Sequence, residues 1–197
     1  MFAVGVLELR HPDGQVFSFD PGSLALAFVV TGAPDDTEWF ETIHDASDLC
    51  RWAASTLRAE VTASSSDVAR AKRLRAGIWR AVEAAVHGRP PAQADRRIIN
   101  RAAASTPMTR RLDRGGAASW TRPLTATALQ STIAGDAIDL LGGPRRSRLK
   151  LCAGPNCAIP FVDTSRPGSR RWCSMERCGN RAKARTHYQQ HRRETPR

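Results

Sequence analysis

Apolar residues recur at helical spacing most plainly between Ser65 and His87. There Val68, Ala71, Leu74, Ile78, Val82 and Ala85 share one face, and Gly88 with Pro90 and Pro91 ends the run. A face so continuous needs a core to cover it. Ala46, Leu49, Ala53 and Leu57 show the same period after Asp45, and Asp45 and Asp48 favour the positive end of a helix. "AQADRRIINRAAAS" predicts a further helix, and "TATALQSTIAGDAIDLL" another that Gly142, Gly143 and Pro144 stop. The start of the chain differs: "MFAVGVLELR" and "QVFSFD" are short β-prone runs around His11-Pro12-Asp13-Gly14, which predicts a hairpin. Asp20 and Pro21 then read as the N-cap and first residue of a helix over "GSLALAFVV". "TEWFETI" reads as a third strand and "MTRRLDRGGAASWT" as a second hairpin. The expected fold class is α+β, with a mainly helical N-terminal domain and short β-hairpins over residues 1–144, then a small unit over 145–197. The boundary falls in "GGPRRSR", where turn formers meet arginines.

With 197 residues, 41% of them hydrophobic, the chain suffices for one ordinary domain and a small one. "MFAVGVLELRHPDG" lacks the charged start, long apolar core and small-residue cleavage site of a signal peptide, and no window approaches 18 consecutive apolar residues. A cytoplasmic protein without a membrane span is expected. The net charge of +11 is unevenly placed: 14 of the 30 Lys and Arg, but only three of the 19 acids, lie between Arg145 and Arg197, so the rest of the chain is neutral. The usual partner of such an asymmetry is a nucleic-acid phosphate backbone, with an anionic membrane surface second. Only Lys72, Lys150 and Lys183 are lysines, which favours bidentate guanidinium contacts, although a GC-rich genome produces the same bias.

Cys152, Cys157, Cys173 and Cys178 form two C-x4-C pairs with 15 residues between them. Two close pairs joined by a hairpin can surround one zinc ion tetrahedrally. Disulfides, disfavoured in the cytoplasm, and an iron–sulfur cluster are the competing uses of four thiols. His187 and His191 have a zinc-finger spacing, but a Cys2His2 site would leave 29 residues between Cys157 and His187, so both read as exposed helix residues. Cys50, in an apolar helical stretch, reads as a small core residue. The last ~45 residues hold few large apolar side chains, and a unit so small rarely folds on its core alone. A structural metal would supply the difference, and four protein ligands leave no open position for substrate or activated water.

"GNRAKARTHYQQHRR", after Cys178, predicts a final helix with Arg177, Arg181 and Arg185 on one face and Lys183, His187 and His191 in a second row. Like charges at that spacing repel, so an anionic partner explains the stripe better than helix stability does; a merely solvated tail is the alternative. Arg170 and Arg171, beside Trp172 and Cys173, are also placed to reach phosphates. Trp172 reads as core rather than as a base-stacking platform.

"LCAGPNCAIPFVDTSRPGSRRWCSMERCGNRAKAR" resembles the CGNR zinc-finger module, whose name is spelled here by Cys178, Gly179, Asn180 and Arg181. Upstream, "SLALAFVVTG", the arginine-rich helix, "IIN" at 98–100 and "DAIDLL" are similar to the ABATE domain that usually accompanies it, although Val30 stands where the family reads asparagine. The resemblance implies a stress-induced bacterial transcription regulator with a treble-clef-like zinc module, in which Cys152, Cys157, Cys173 and Cys178 are the ligands of one structural zinc. It also implies DNA binding by that module. Gly179 is then expected to let the backbone pass the thiolates, Asn180 to bond a neighbouring turn, and Arg181 to meet a phosphate.

The nucleic-acid contacts expected are therefore Arg170, Arg171, Arg177, Arg181, Lys183 and Arg185, in a regulator located on the nucleoid. The N-terminal domain would dimerise or sense a small-molecule ligand. An RNA-binding module and a zinc adaptor for an acidic protein are the other classes. An enzyme is disfavoured by the absence of a Ser/His/Asp, Walker or dinucleotide signature, and Trp39, Trp52, Trp79 and Trp120 read as core rather than as a ligand cage.

Overall fold

The computed structural model describes residues 4–11, 13–32 and 41–194, except for the side chains of His187 and of residues 190–194. The elements run β1 (Leu7–Arg10), β2 (Val16–Phe19), α1 (Leu24–Val29), α2 (Ala46–Leu57), α3 (Ser65–Val86) and α4 (Gln93–Ala103). Next come β3 (Arg110–Leu112), β4 (Ala118–Trp120), α5 (Ala126–Gly142), β5 (Leu149–Leu151), β6 (Pro160–Val162) and α6 (Asn180–Glu194). A 3-10 turn, Pro144–Arg148, leads into β5, and a π turn, Met175–Gly179, leads into α6.

Local chemistry explains where most helices start. Asp45 with Asp48, and Ser64 with Asp67, form reciprocal capping boxes on α2 and α3, and Thr125 caps α5. α1 departs from expectation. Asp20 bonds the Gly22 amide at 3.0 Å in a tight turn, and the helix begins only after Ser23. Its terminus is satisfied from a distance: buried Asp136 on α5 accepts from the Ala25 amide at 2.9 Å and from the Ser23 hydroxyl at 2.5 Å. Of the expected third strand, Thr37–Phe40 lie outside the described residues. The described part, Glu41–Ile43, forms no strand: Thr42 donates to the Thr31 carbonyl, and Glu41 receives two bonds from the buried Arg75, at 2.7 and 2.5 Å.

Every residue of α1 is buried, against α3 and α5, and α3, α4 and α5 pack on one another to close the main core. Trp52, Trp79, Trp120 and Cys50 lie half-buried against that core, while Trp39 falls outside the described residues. No helix among the described residues is long and apolar enough to cross a membrane.

The β5–β6 pair separates two cores. Leu149 and Val162, opposite each other in the register, join the main core, whereas Phe161 points the other way into a second, smaller one. That second core contains Cys152, Cys173 and Cys178, and also Phe17 and Phe19 of β2, with Leu7 and Leu9 of β1 packed against it. The first hairpin of the chain thus completes the core of the last fifty residues, whose own apolar content is too small.

Candidate metal centre and basic helix

Cys152 follows β5 and Cys157 lies in the turn before β6, while Cys173 precedes the π turn and Cys178 lies within it. The first pair sits on a narrow loop: the Cys152 amide donates to the Ile159 carbonyl at 3.0 Å, the Cys157 amide to Gly154 at 3.1 Å, and Asn156 takes the left-handed conformation at φ 58°. Glycine is required at 154, because a Cβ there would stand 2.9 Å from Cys178 Sγ. A Cβ on Gly179 would strike Met175 Sδ at 2.6 Å and approach Trp172 at 3.3 Å. The close approach at Gly179 is therefore to these two side chains rather than to the thiolates.

All four Sγ atoms lie within 4.8 Å of one another, and Cys157–Cys173 and Cys173–Cys178 are each 3.7 Å apart. A tetrahedron of Zn–S bonds of about 2.3 Å has edges of about 3.8 Å, so the set fits one zinc ion. It is too wide for a disulfide of about 2.05 Å, and the four cysteines are free thiols. It is also too compact to enclose the irons and sulfides of a cluster. The electrostatics call for a cation. Hydrogen bonds from Cys157 and Cys173 pull Cys152 down to about 2, and in return Cys152 pushes Cys157 up to about 12 and raises Cys173. Cys178 is raised, first by burial and then by Cys152. The amides of Gly154 and Cys173 donate to Cys152 Sγ at 3.4 and 3.3 Å, supplying further positive character.

Several bases of the C-terminal unit, Arg170 and Arg177 of the expected contacts among them, are engaged within the fold. Arg170 donates to the carbonyls of Trp172, Cys173 and Asp20 and lies 4.3 Å over the Phe161 ring, clamping the segment that enters Cys173. Arg177 is 3% exposed and cannot share an open stripe with Arg181 and Arg185. It lies in the π turn under the first hairpin, where it bonds Gln15 at 2.7 Å and both carboxylate oxygens of Asp13, at 3.1 and 3.0 Å. Arg145, Arg146 and Arg148 donate to backbone carbonyls, and Lys150 is held by Asp163 at 2.7 Å. Burial would raise Asp163, but the bonds from Lys150, Ser165 and the Arg170 amide outweigh it and hold the carboxyl well below the ordinary range.

Other bases remain open. Lys183 and Arg185 on α6 are exposed and have no hydrogen-bond or ion-pair partner among the described residues. Arg181 is half exposed, with one bond to Asp13 at 2.8 Å. Arg171 is exposed and lies 5.1 Å over the Trp172 ring, and Trp172 itself packs half-buried against the small core. Asn180 reaches back to the Glu176 carbonyl at 3.4 Å, a contact with the preceding turn. The side chains of His187 and His191 lie outside the described residues.

The partners supplied by the first hairpin were invisible in the spacing of the cysteines. Glu176 accepts from the Ser18 amide at 2.8 Å and from its hydroxyl at 3.2 Å, and Asp13 is held well below its ordinary range, chiefly by Arg177. Phe17 and Phe19, two apart on one strand face, were the available signal that this hairpin needed a covering surface.

No curated protein gives a significant match. Two family models match in succession: ABATE, described as "Putative stress-induced transcription regulator", over residues 22–144, and the CGNR zinc finger over residues 148–191. The β1–β2 hairpin precedes both. With the first model spanning more than half of the chain and the second spanning the four clustered cysteines, the chain belongs to the ABATE family and carries a CGNR zinc finger that holds one structural zinc ion.

Proposed function

We propose that the protein is a DNA-binding transcription regulator acting on the nucleoid in the bacterial cytoplasm, in response to stress. In this reading the zinc module of residues 145–197 presents α6 to the phosphate backbone. The observation that carries it is the pair of exposed cations, Lys183 and Arg185, without a partner among the described residues, on a helix whose start is pinned by Cys178. Arg181 and Arg171 extend the same charge. Zinc bound by four thiolates contributes rigidity here and no reaction step, since its tetrahedron is complete. Residues 1–144 sense a signal or dimerise.

The mechanism is counterion release: each phosphate neutralised lowers the slope of log affinity against log salt by about 0.9. Anisotropy of a labelled random duplex, titrated with the full zinc-loaded chain across salt, tests it. Lys183→Ala with Arg185→Ala should flatten the slope by about two units. An unchanged slope contradicts the assignment. Stronger competition by structured RNA would move the reading to RNA, and indifference to both nucleic acids would favour an acidic protein partner.

A further inference from the structure

We infer that the N-terminal domain binds a small organic anion with an apolar body in the cavity where α3, α4 and α5 meet. This deepens the sensing role proposed above, and its test does not pass through nucleic acid. The cavity measures about 340 Å³, at the lower end of small-molecule sites. Its floor is apolar, formed by Leu74 of α3 with Ile98 and Ala102 of α4, and its rim carries Arg70, Arg73 and Arg101 without any carboxylate.

The charge pattern on α3 singles out this rim. The helix has five cations, and four of them have a carboxylate: Arg70 has Asp67, Lys72 and Arg75 have Glu41, and Arg80 has Asp95. Arg73 has none, and neither Arg73 nor Arg101 makes a hydrogen bond or ion pair among the described residues. Ser105, Thr127 and Gln130 add neutral polar groups to the same lining. Two guanidiniums lining one cavity without a partner among the described residues suit a carboxylate, sulfonate or phosphate group, and the apolar floor selects a ligand with a hydrocarbon or aromatic body over an inorganic ion.

Benzoate and its neutral isostere benzamide are suitable probes. Amide NMR shifts of the full zinc-loaded chain should move saturably with benzoate at residues 70–74, 98–105 and 127–130, with a dissociation constant on the order of 1 mM, normal for a fragment. Benzamide should bind at least about tenfold more weakly, and Arg73→Gln with Arg101→Gln should weaken benzoate by a similar factor. Both positions are exposed, and the unperturbed remainder of the spectrum reports that the variant is folded. The inference is overturned by the absence of saturable shifts at these amides, by equal binding of benzamide, or by unchanged benzoate binding in the variant. Shifts confined to residues 145–194 would place the anion on the basic module, overturning this site while leaving the DNA reading intact.

Discussion

Replacing Phe19 with alanine should weaken zinc binding, although Phe19 lies at the opposite end of the chain from the cysteines. The side chain is 0% exposed, in one cluster with Phe17, Phe161, Cys152, Cys173 and Cys178. Truncating a fully buried phenylalanine costs about 3–5 kcal/mol, from lost transfer energy and the cavity left behind. Folding of a small metal module and binding of its metal are one linked equilibrium. If the metal-free module lacks this packing, 3 kcal/mol appears as about a 150-fold loss of affinity. If part of the hairpin stays docked without zinc, part of the cost cancels and about tenfold remains. Competition against a chromophoric chelator, with the full chain, measures it. Leu140→Ala is the control: Leu140 is equally buried but belongs to the main core, so it should lower Tm by a comparable destabilisation of about 2–5 kcal/mol and leave zinc affinity nearly unchanged. Wild-type zinc affinity in Phe19→Ala, or equal loss in Leu140→Ala, would refute the reasoning.

Other consequences can be measured in the same chain. Glu41 is held down to about 2 from its ordinary 4.5, because burial, which would raise it, is outweighed by the bonds from Arg75. A carboxyl depressed in the folded state stabilises above its unfolded value and loses that contribution as pH falls through the folded one, so stability should decline between these two values. Glu41→Gln should lower Tm at neutral pH and flatten this acid limb; parallel limbs would contradict the pairing. Gly154→Ala should weaken zinc binding by driving a methyl against Cys178 Sγ, whereas Gly135→Ala, with open space at its Cβ, should raise Tm by up to about 1 kcal/mol of helix stabilisation. Arg177→Ala should lower Tm and leave the salt slope of DNA binding unchanged, the reverse of the Lys183 and Arg185 pair; a flattened slope would return Arg177 to the interface.

Features decided by neighbours in the chain could be read from it. α3 was visible because its apolar face repeats over six positions and its stop signals are local; the capping box of Ser64 and Asp67 that starts it is a structural finding. The cysteines were visible because a metal site constrains spacing within each pair. α1 was placed too early because Asp20 and Pro21 imitate a cap, whereas the group that satisfies the helix terminus is Asp136, far along the chain. Arg177 was misplaced for a related reason. Counting in fours along α6 cannot show that the first hairpin covers one end of the row: Asp13 takes both Arg177 and Arg181, and Arg177 is buried there. Local counting also cannot show that Arg145, Arg148, Lys150 and Arg170 spend their donors on backbone carbonyls and Asp163. Nor could it show that the small zinc core borrows Phe17 and Phe19 from the first hairpin.

On the proposed reading, one zinc ion and its four cysteines hold the surface that meets DNA. Duplex affinity should therefore be followed by anisotropy while zinc is withdrawn stepwise with a chelator and then restored, its content read in parallel by mass spectrometry. Affinity should fall in proportion to the zinc lost and return with it. Affinity that is unchanged when the zinc is gone would contradict it.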